Sequence, residues 1–98
     1  MLFAVIFEDN PAADPSLRPR HMDAHLAYLT ENRDSVRSAG PLLDAEGEVK
    51  GGMWLVEAVG PGEVDHLVIN DPFWPTGLRK AYAIRQWRQV FRDGEPQL

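Results

Sequence analysis

The chain has no cysteine. Disulfides, thiolate nucleophiles and sulfur-ligated zinc are therefore excluded. It has no block of basic residues either. Ten lysines and arginines stand against 15 acids, for a formal net charge of -5, and the basic residues are scattered. Nucleic-acid binding needs a clustered positive surface, so that class of partner is disfavoured. No apolar run is long enough to span a bilayer. The start, Met1-Leu2-Phe3-Ala4-Val5-Ile6-Phe7, is apolar but is ended by Glu8 and Asp9 and has no basic flank. It reads as a strand rather than a signal peptide or membrane span, and the expected compartment is the cytoplasm. Gly60-Pro61-Gly62 lacks the Gly-Lys-Ser/Thr ending of a phosphate loop, no dinucleotide fingerprint is present, and no Ser-His or Cys-His nucleophile pair is legible.

What remains is a small, moderately apolar domain. The 98 residues suit one domain spanning 1–98, with 93–98 as a polar tail expected to fray. Hydrophobic residues make up 44% of the chain, enough for a packed core. A domain of this size buries only about 60–65% of its unfolded surface, so the core is thin and dimerisation would add burial.

The order of elements is legible from periodicity and punctuation. Residues 2–8 are β-rich and apolar on both faces. Asn10-Pro11 and Asp14-Pro15 make a loop, and Asp14 or Ser16 is placed to cap a helix. That helix is expected over about 16–33, with Leu17, Met22, Leu26 and Leu29 as its apolar stripe and Arg18, Arg20, Asp23, Glu31 and Arg33 toward water. Strands are expected over 35–42 and 52–59, separated by a polar turn. Pro61 starts a second helix with the stripe Val64, Leu67 and Val68, which Asn70-Asp71-Pro72 stops. A loop from Phe73 to Gly77 leads to a last strand over about 79–90. The sequence β-α-β-β-α-β is that of the ferredoxin-like plait, an α+β fold with both helices on one face of a four-stranded antiparallel sheet. Phe3, Val5, Phe7, Trp54, Val56 and Trp87 are expected to serve both faces of that sheet between them. An apolar second face marks a partner surface, so a homodimer packed sheet to sheet is expected.

Two residues carry the chemistry. His25 lies on the apolar stripe of the first helix, where a plain core would place Leu or Ile, and Asp71 ends the second helix. A carboxylate that holds one ring nitrogen leaves the other free as an acid or base. Arg20 is positioned to hold a ligand carboxylate, Gly40-Pro41 to bring backbone amides near a ligand, and Trp54, Phe73 and Trp74 to line an aromatic pocket. His21, one turn before His25, lacks an evident third ligand, so no metal is expected. His66 falls off the second helix's stripe and reads as surface.

The segments Arg20-His21-Met22-Asp23-Ala24-His25-Leu26-Ala27-Tyr28-Leu29, Ser38-Ala39-Gly40-Pro41-Leu42, Asn70-Asp71-Pro72-Phe73 and the final Gln86-Trp87 together resemble the YCII-related family, in its order and at compatible spacing. The resemblance implies a dimeric α/β barrel. It also implies a His-Asp dyad, here His25 and Asp71, beside a cleft near the Gly-Pro turn. The chemistries associated with the wider family are isomerisations or eliminations on small ring compounds. Trp74 and Pro75 depart from the family pattern in the loop after Phe73.

The leading expectation is an enzyme without a cofactor, in which His25 moves a proton on a small ring or carbonyl compound, Asp71 orients it, and Arg20 or the Gly40 amide holds a substrate oxygen. On that reading, Asp71→Asn cuts activity strongly and leaves the melting temperature nearly unchanged. The alternative is a non-catalytic homodimer that binds a small ligand or serves as an interaction module. A cofactor-free oxygenase on the same barrel is a third reading.

Overall fold

Strand β1, Leu2–Asp9, alternates cleanly. Phe3, Val5 and Phe7 are buried, whereas Ile6 is 41% exposed. The computed structural model describes all 98 residues, and its remaining elements pack around this strand. Helix α1 is Leu17–Glu31, followed by β2, Val36–Leu43, and β3, Val49–Glu57. Helix α2 is Pro61–Ile69, a 3₁₀ turn covers Trp74–Thr76, and β4 is Arg79–Gln86. The four strands form one antiparallel sheet in the order β2-β3-β1-β4. That is the ferredoxin-like plait expected from the element order.

The helices start and stop for local reasons. Before α1, Asp14 accepts the Ser16 backbone N–H at 2.9 Å, and Pro19 sits within the first turn, where a missing N–H is tolerated. Pro61 opens α2, and its first turn is steadied by Glu63, which accepts the Val59 N–H at 3.2 Å. Val64, Leu67 and Val68 bury the expected stripe against Phe3, Val5, Trp54 and Val56. Tyr28 ties the helices together by donating its hydroxyl to the Leu67 carbonyl at 2.7 Å.

Helix α1 presents the expected stripe to the sheet, with Met22, His25, Leu26 and Leu29 on one inner cavity, but the depth of burial differs from expectation. Its one buried residue is His25, while Leu26 is half exposed. The sheet also sorts its apolar residues more strictly than expected. Phe3, Val5, Phe7, Trp54 and Val56 are all buried in the helix-side core. Residues directly opposite in a ladder share a face. The pairings of Ala4 with Leu55 and of Ile6 with both Met53 and Ala83 therefore place a second apolar set on the open face. Trp87, whose N–H donates to the Leu2 carbonyl at 2.8 Å, continues β1–β4 pairing onto that open side and is 42% exposed.

The chain end departs from expectation. The last sheet strand stops at Gln86, and the tail folds as a hairpin, with β5, Phe91–Arg92, paired to β6, Glu95–Pro96. Asp93 and Gly94 both take positive φ, 53° and 78°. This is the two-residue turn that an Asp-Gly pair favours.

Candidate active site

Asp71 is the organising residue. Pro72 ends α2 and turns the chain inward, leaving the Asp71 carboxylate with no exposed surface. Three donors converge on it: His25 Nδ1 at 2.9 Å, the Phe73 backbone N–H at 3.0 Å and Arg79 Nη1 at 2.9 Å. His25 comes from α1 and Arg79 from the start of β4, so the carboxylate joins three parts of the fold.

Burial alone would push the Asp71 carboxyl above its ordinary range. The hydrogen bonds from His25 and Phe73 and the charges of Arg79 and His25 outweigh this, and the net shift is downward. Asp71 is therefore an ionised, acceptor-only carboxylate at neutral pH. The hydrogen in the contact belongs to His25 Nδ1. A neutral His25 then keeps its lone pair on Nε2. That nitrogen has no protein partner and is not occluded. Burial also pulls the Arg79 guanidinium below its ordinary range, opposed by the Asp71 charge. Tyr28 is pushed up, first by burial and then by the same carboxylate.

Aromatic rings hold these groups flat. Phe73 stacks on the His25 ring with centroids 4.1 Å apart and planes 17° from parallel. Arg79 lies over the Phe7 ring at 3.9 Å, with Trp54 and Phe73 at 5.4 and 5.3 Å. Such cation–π contacts help to keep a buried guanidinium in one place.

His25 opens on a cavity of about 160 Å³ between α1 and the β2–β3 side of the sheet. A cavity of about 150 Å³ accommodates benzene, so this one has room for a single six-membered ring with small substituents. Met22, Leu26, Pro41 and Trp54 supply apolar wall, and Arg18, Asp9 and Arg79 supply charge. Gly51 and Gly52 let the strands close beneath it. An added Cβ would come within 2.0 Å of the Phe7 carbonyl oxygen at Gly51 and 3.2 Å of the Gly40 oxygen at Gly52.

The sequence-derived residues divide on inspection. His25, Gly40, Pro41 and Phe73 line the cavity, and Asp71 stands behind His25. Arg20 does not line it and is exposed. Two residues along a helix is a rotation of about 200°, and Arg18 occupies the inner side instead. Trp74 packs edge-on against Tyr82, ring centroids 5.2 Å apart, away from the cavity. Arg18, Asp9 and Arg79 were not anticipated as site residues. His66 is exposed, as expected.

Residues 1–88 match the YCII-related domain. The chain belongs to the YCII-related family. The matched span stops short of the Phe91–Pro96 hairpin. Among solved structures, this YCII-related protein is similar to 5-chloro-2-hydroxyhydroquinone dehydrochlorinase from Burkholderia phenoliruptrix, determined in complex with 2,5-dihydroxybenzoquinone. The two share 34% identity over 90% of this chain and 94% of the other, with a TM-score of 0.76. The fold also matches a Mycobacterium tuberculosis protein at 19% identity, over 91% and 97% of the two chains, with a TM-score of 0.50. An uncharacterised NIPSNAP domain protein from Burkholderia xenovorans matches at 13% identity, over 95% and 100%, also with a TM-score of 0.50. Comparison with curated proteins finds no significant match. No helix is long and apolar enough to cross a membrane.

Proposed function

We propose that this YCII-related protein is an enzyme that moves a proton on a small, oxygen-substituted six-membered ring, using His25 as the acid–base group and Asp71 to orient it. The observation that carries the reading is the His25 ring itself. Its Nδ1 is held by a buried carboxylate, its Nε2 has no protein partner, and the residue lines a cavity sized for one ring. The similar dehydrochlorinase, which acts on a chlorinated hydroxyhydroquinone, supports the substrate class.

In the proposed step, Nε2 takes a proton from a ring carbon next to a carbonyl. For isomerisation, the C–H electron pair becomes the enolate double bond, and the imidazolium returns the proton at another position. For elimination, that pair forms a C=C bond while the neighbouring substituent leaves as an anion with its own bonding pair. Asp71 stabilises the imidazolium without taking the proton, and such positioned proton transfer contributes about 10²–10⁴-fold in rate. Phe73 holds the imidazole plane in place.

The test is turnover of chlorinated and unsubstituted hydroxyhydroquinones by wild type and His25→Gln, followed by absorbance, with the melting temperature of each. Loss of turnover in a folded His25→Gln protein supports the reading. Equal turnover in the two sinks it.

A homodimer is part of the same proposal. The open sheet face carries Ala4, Ile6, Met53, Leu55 and Ala83, and a second copy packed sheet to sheet covers it.

A further inference from the structure

Two cationic arginines reach the cavity, and only one is free to meet a ligand. Arg79 is committed: its side chain is 6% exposed, bonded to Asp71 and laid over Phe7. Arg18 is different. Its side chain is 25% exposed and its one ion-pair partner is Asp9, itself 17% exposed. A guanidinium has five N–H donors, so most of Arg18's are unused.

Its placement is informative. Arg18 and Asp9 are the two residues shared by the inner cavity and a second, larger cleft of about 450 Å³ formed by the loop before α1 and the start of β3. The pair is therefore the partition between a ring-sized apolar chamber and an outer polar one. Arg18 and His25 lie two turns apart on the same helix face, about 10.5 Å along the axis. Both touch the Phe73 ring, His25 by stacking at 4.1 Å and Arg18 with its guanidinium carbon 5.8 Å from the centroid. The two groups are thus anchored a ring's length apart along the helix instead of at neighbouring positions.

We infer that Arg18 is the specificity-determining residue of this site, selecting rings that carry an ionised oxygen at the end away from His25, and that Asp9 is the internal counter-ion which the ligand's oxyanion displaces. A planar guanidinium is suited to an enolate, phenolate or carboxylate oxygen. Asp9 keeps Arg18 paired, and therefore desolvated at low cost, while the cavity is empty. The inference deepens the proposed function and rests on its choice of cavity.

The experiment measures equilibrium binding of two probes by calorimetry. One is 2,5-dihydroxybenzoquinone, an acidic hydroxyquinone that is anionic at neutral pH. The other is hydroquinone, which is neutral there. The wild type should prefer the anionic probe. Arg18→Gln should weaken it by about 10- to 100-fold, the range for a hydrogen bond to a charged group, and leave hydroquinone within about twofold. Arg18→Lys should restore part of the preference. Asp9→Asn removes the competitor and should tighten the anionic probe. Absence of a wild-type preference, equal losses for both probes in Arg18→Gln, or weaker anionic binding in Asp9→Asn overturns the inference. His25→Gln separates this from the proposed chemistry: a protein that keeps its anion preference while His25→Gln keeps full turnover refutes the acid–base role and leaves the Arg18 assignment standing.

Discussion

Arg79 Nη1 lies 2.9 Å from Asp71 Oδ2, on the same carboxylate that receives His25 Nδ1. The carboxylate therefore serves two cation-capable groups at once, the His25 imidazole and the Arg79 guanidinium, both on the cavity wall. Its removal changes both.

Asp71→Asn should consequently destabilise the protein, contrary to the expectation that it alters activity alone. It leaves the buried Arg79 guanidinium without its counter-charge, a loss of about 3–5 kcal/mol for one partner of a buried pair. Adding Arg79→Met to Asp71→Asn should recover part of that loss. Urea unfolding of the two variants against wild type measures it. An unchanged midpoint for Asp71→Asn would falsify the pairing.

Acid should act through the same group. The folded-state carboxyl of Asp71 titrates below its ordinary value, so its contribution to stability is complete above the unfolded value, near 3.9, and disappears as pH falls through the lower folded value. The part of the stability gap between wild type and Asp71→Asn that depends on this carboxylate should therefore narrow as pH falls below 4. Denaturant midpoints across that range give the answer. A gap that does not narrow below pH 4 is the contrary result.

The glycines of the cavity wall should differ sharply. Gly40→Ala meets open space, whereas a Cβ at Gly51 would sit 2.0 Å from the Phe7 carbonyl oxygen. Gly40→Ala should stay within about 0.5 kcal/mol of wild type, the usual range away from packed features. Gly51→Ala should lose at least the 1–3 kcal/mol typical of overpacking, because the obstacle is backbone. Thermal melts of the two variants decide this.

On the open side of the sheet, Ile6→Glu should convert the proposed homodimer to monomer with little effect on the fold, since Ile6 is 41% exposed in the single chain. Sedimentation over a range of concentrations reports the mass. A wild type that sediments as a monomer throughout removes the dimer from the proposal.

Much of this arrangement was legible in the sequence. A histidine on an apolar helical stripe and an aspartate at a helix end before proline pointed to the pair that the structure joins, and Gly40-Pro41 and Phe73 fell beside the same cavity. Arg79 was hidden by parity. Tyr82 pairs with Phe7, so strict alternation puts Lys80 on the inner side. A bulge between Glu8 and Asp9 shifts the register by one. Arg79 then turns inward, and Lys80 remains exposed near Glu8. A bulge has no sequence signature here.

Arg18 was missed for a different reason. A stripe drawn through Leu17, Met22, Leu26 and Leu29 centres the helix on its leucines, but the polar His25 is what the core receives. Arg18 precedes Met22 by four residues and His25 by seven, so it stands on that same stripe; its charge assigned it to water, but the cavity beside His25 admits it, while Arg20 falls on the opposite side. The terminal hairpin, by contrast, was readable: Asp93-Gly94 is a strong short-range turn signal, and it was overlooked in favour of polarity.

The bonds that Asp71 makes constrain which substitutions the cavity tolerates. Any exchange of Asp71, Arg79 or Phe73 alters the junction of α1, the loop after α2 and β4 as well as the imidazole. The opposite rim is not tied in this way. Met22, Leu26, Gly40 and Pro41 border the cavity, and Leu26 and Gly40 are exposed. The lining along α1 and the β2 edge is thus free to vary while the Asp71 junction stays fixed, which divides the cavity into a constrained wall and an adaptable one.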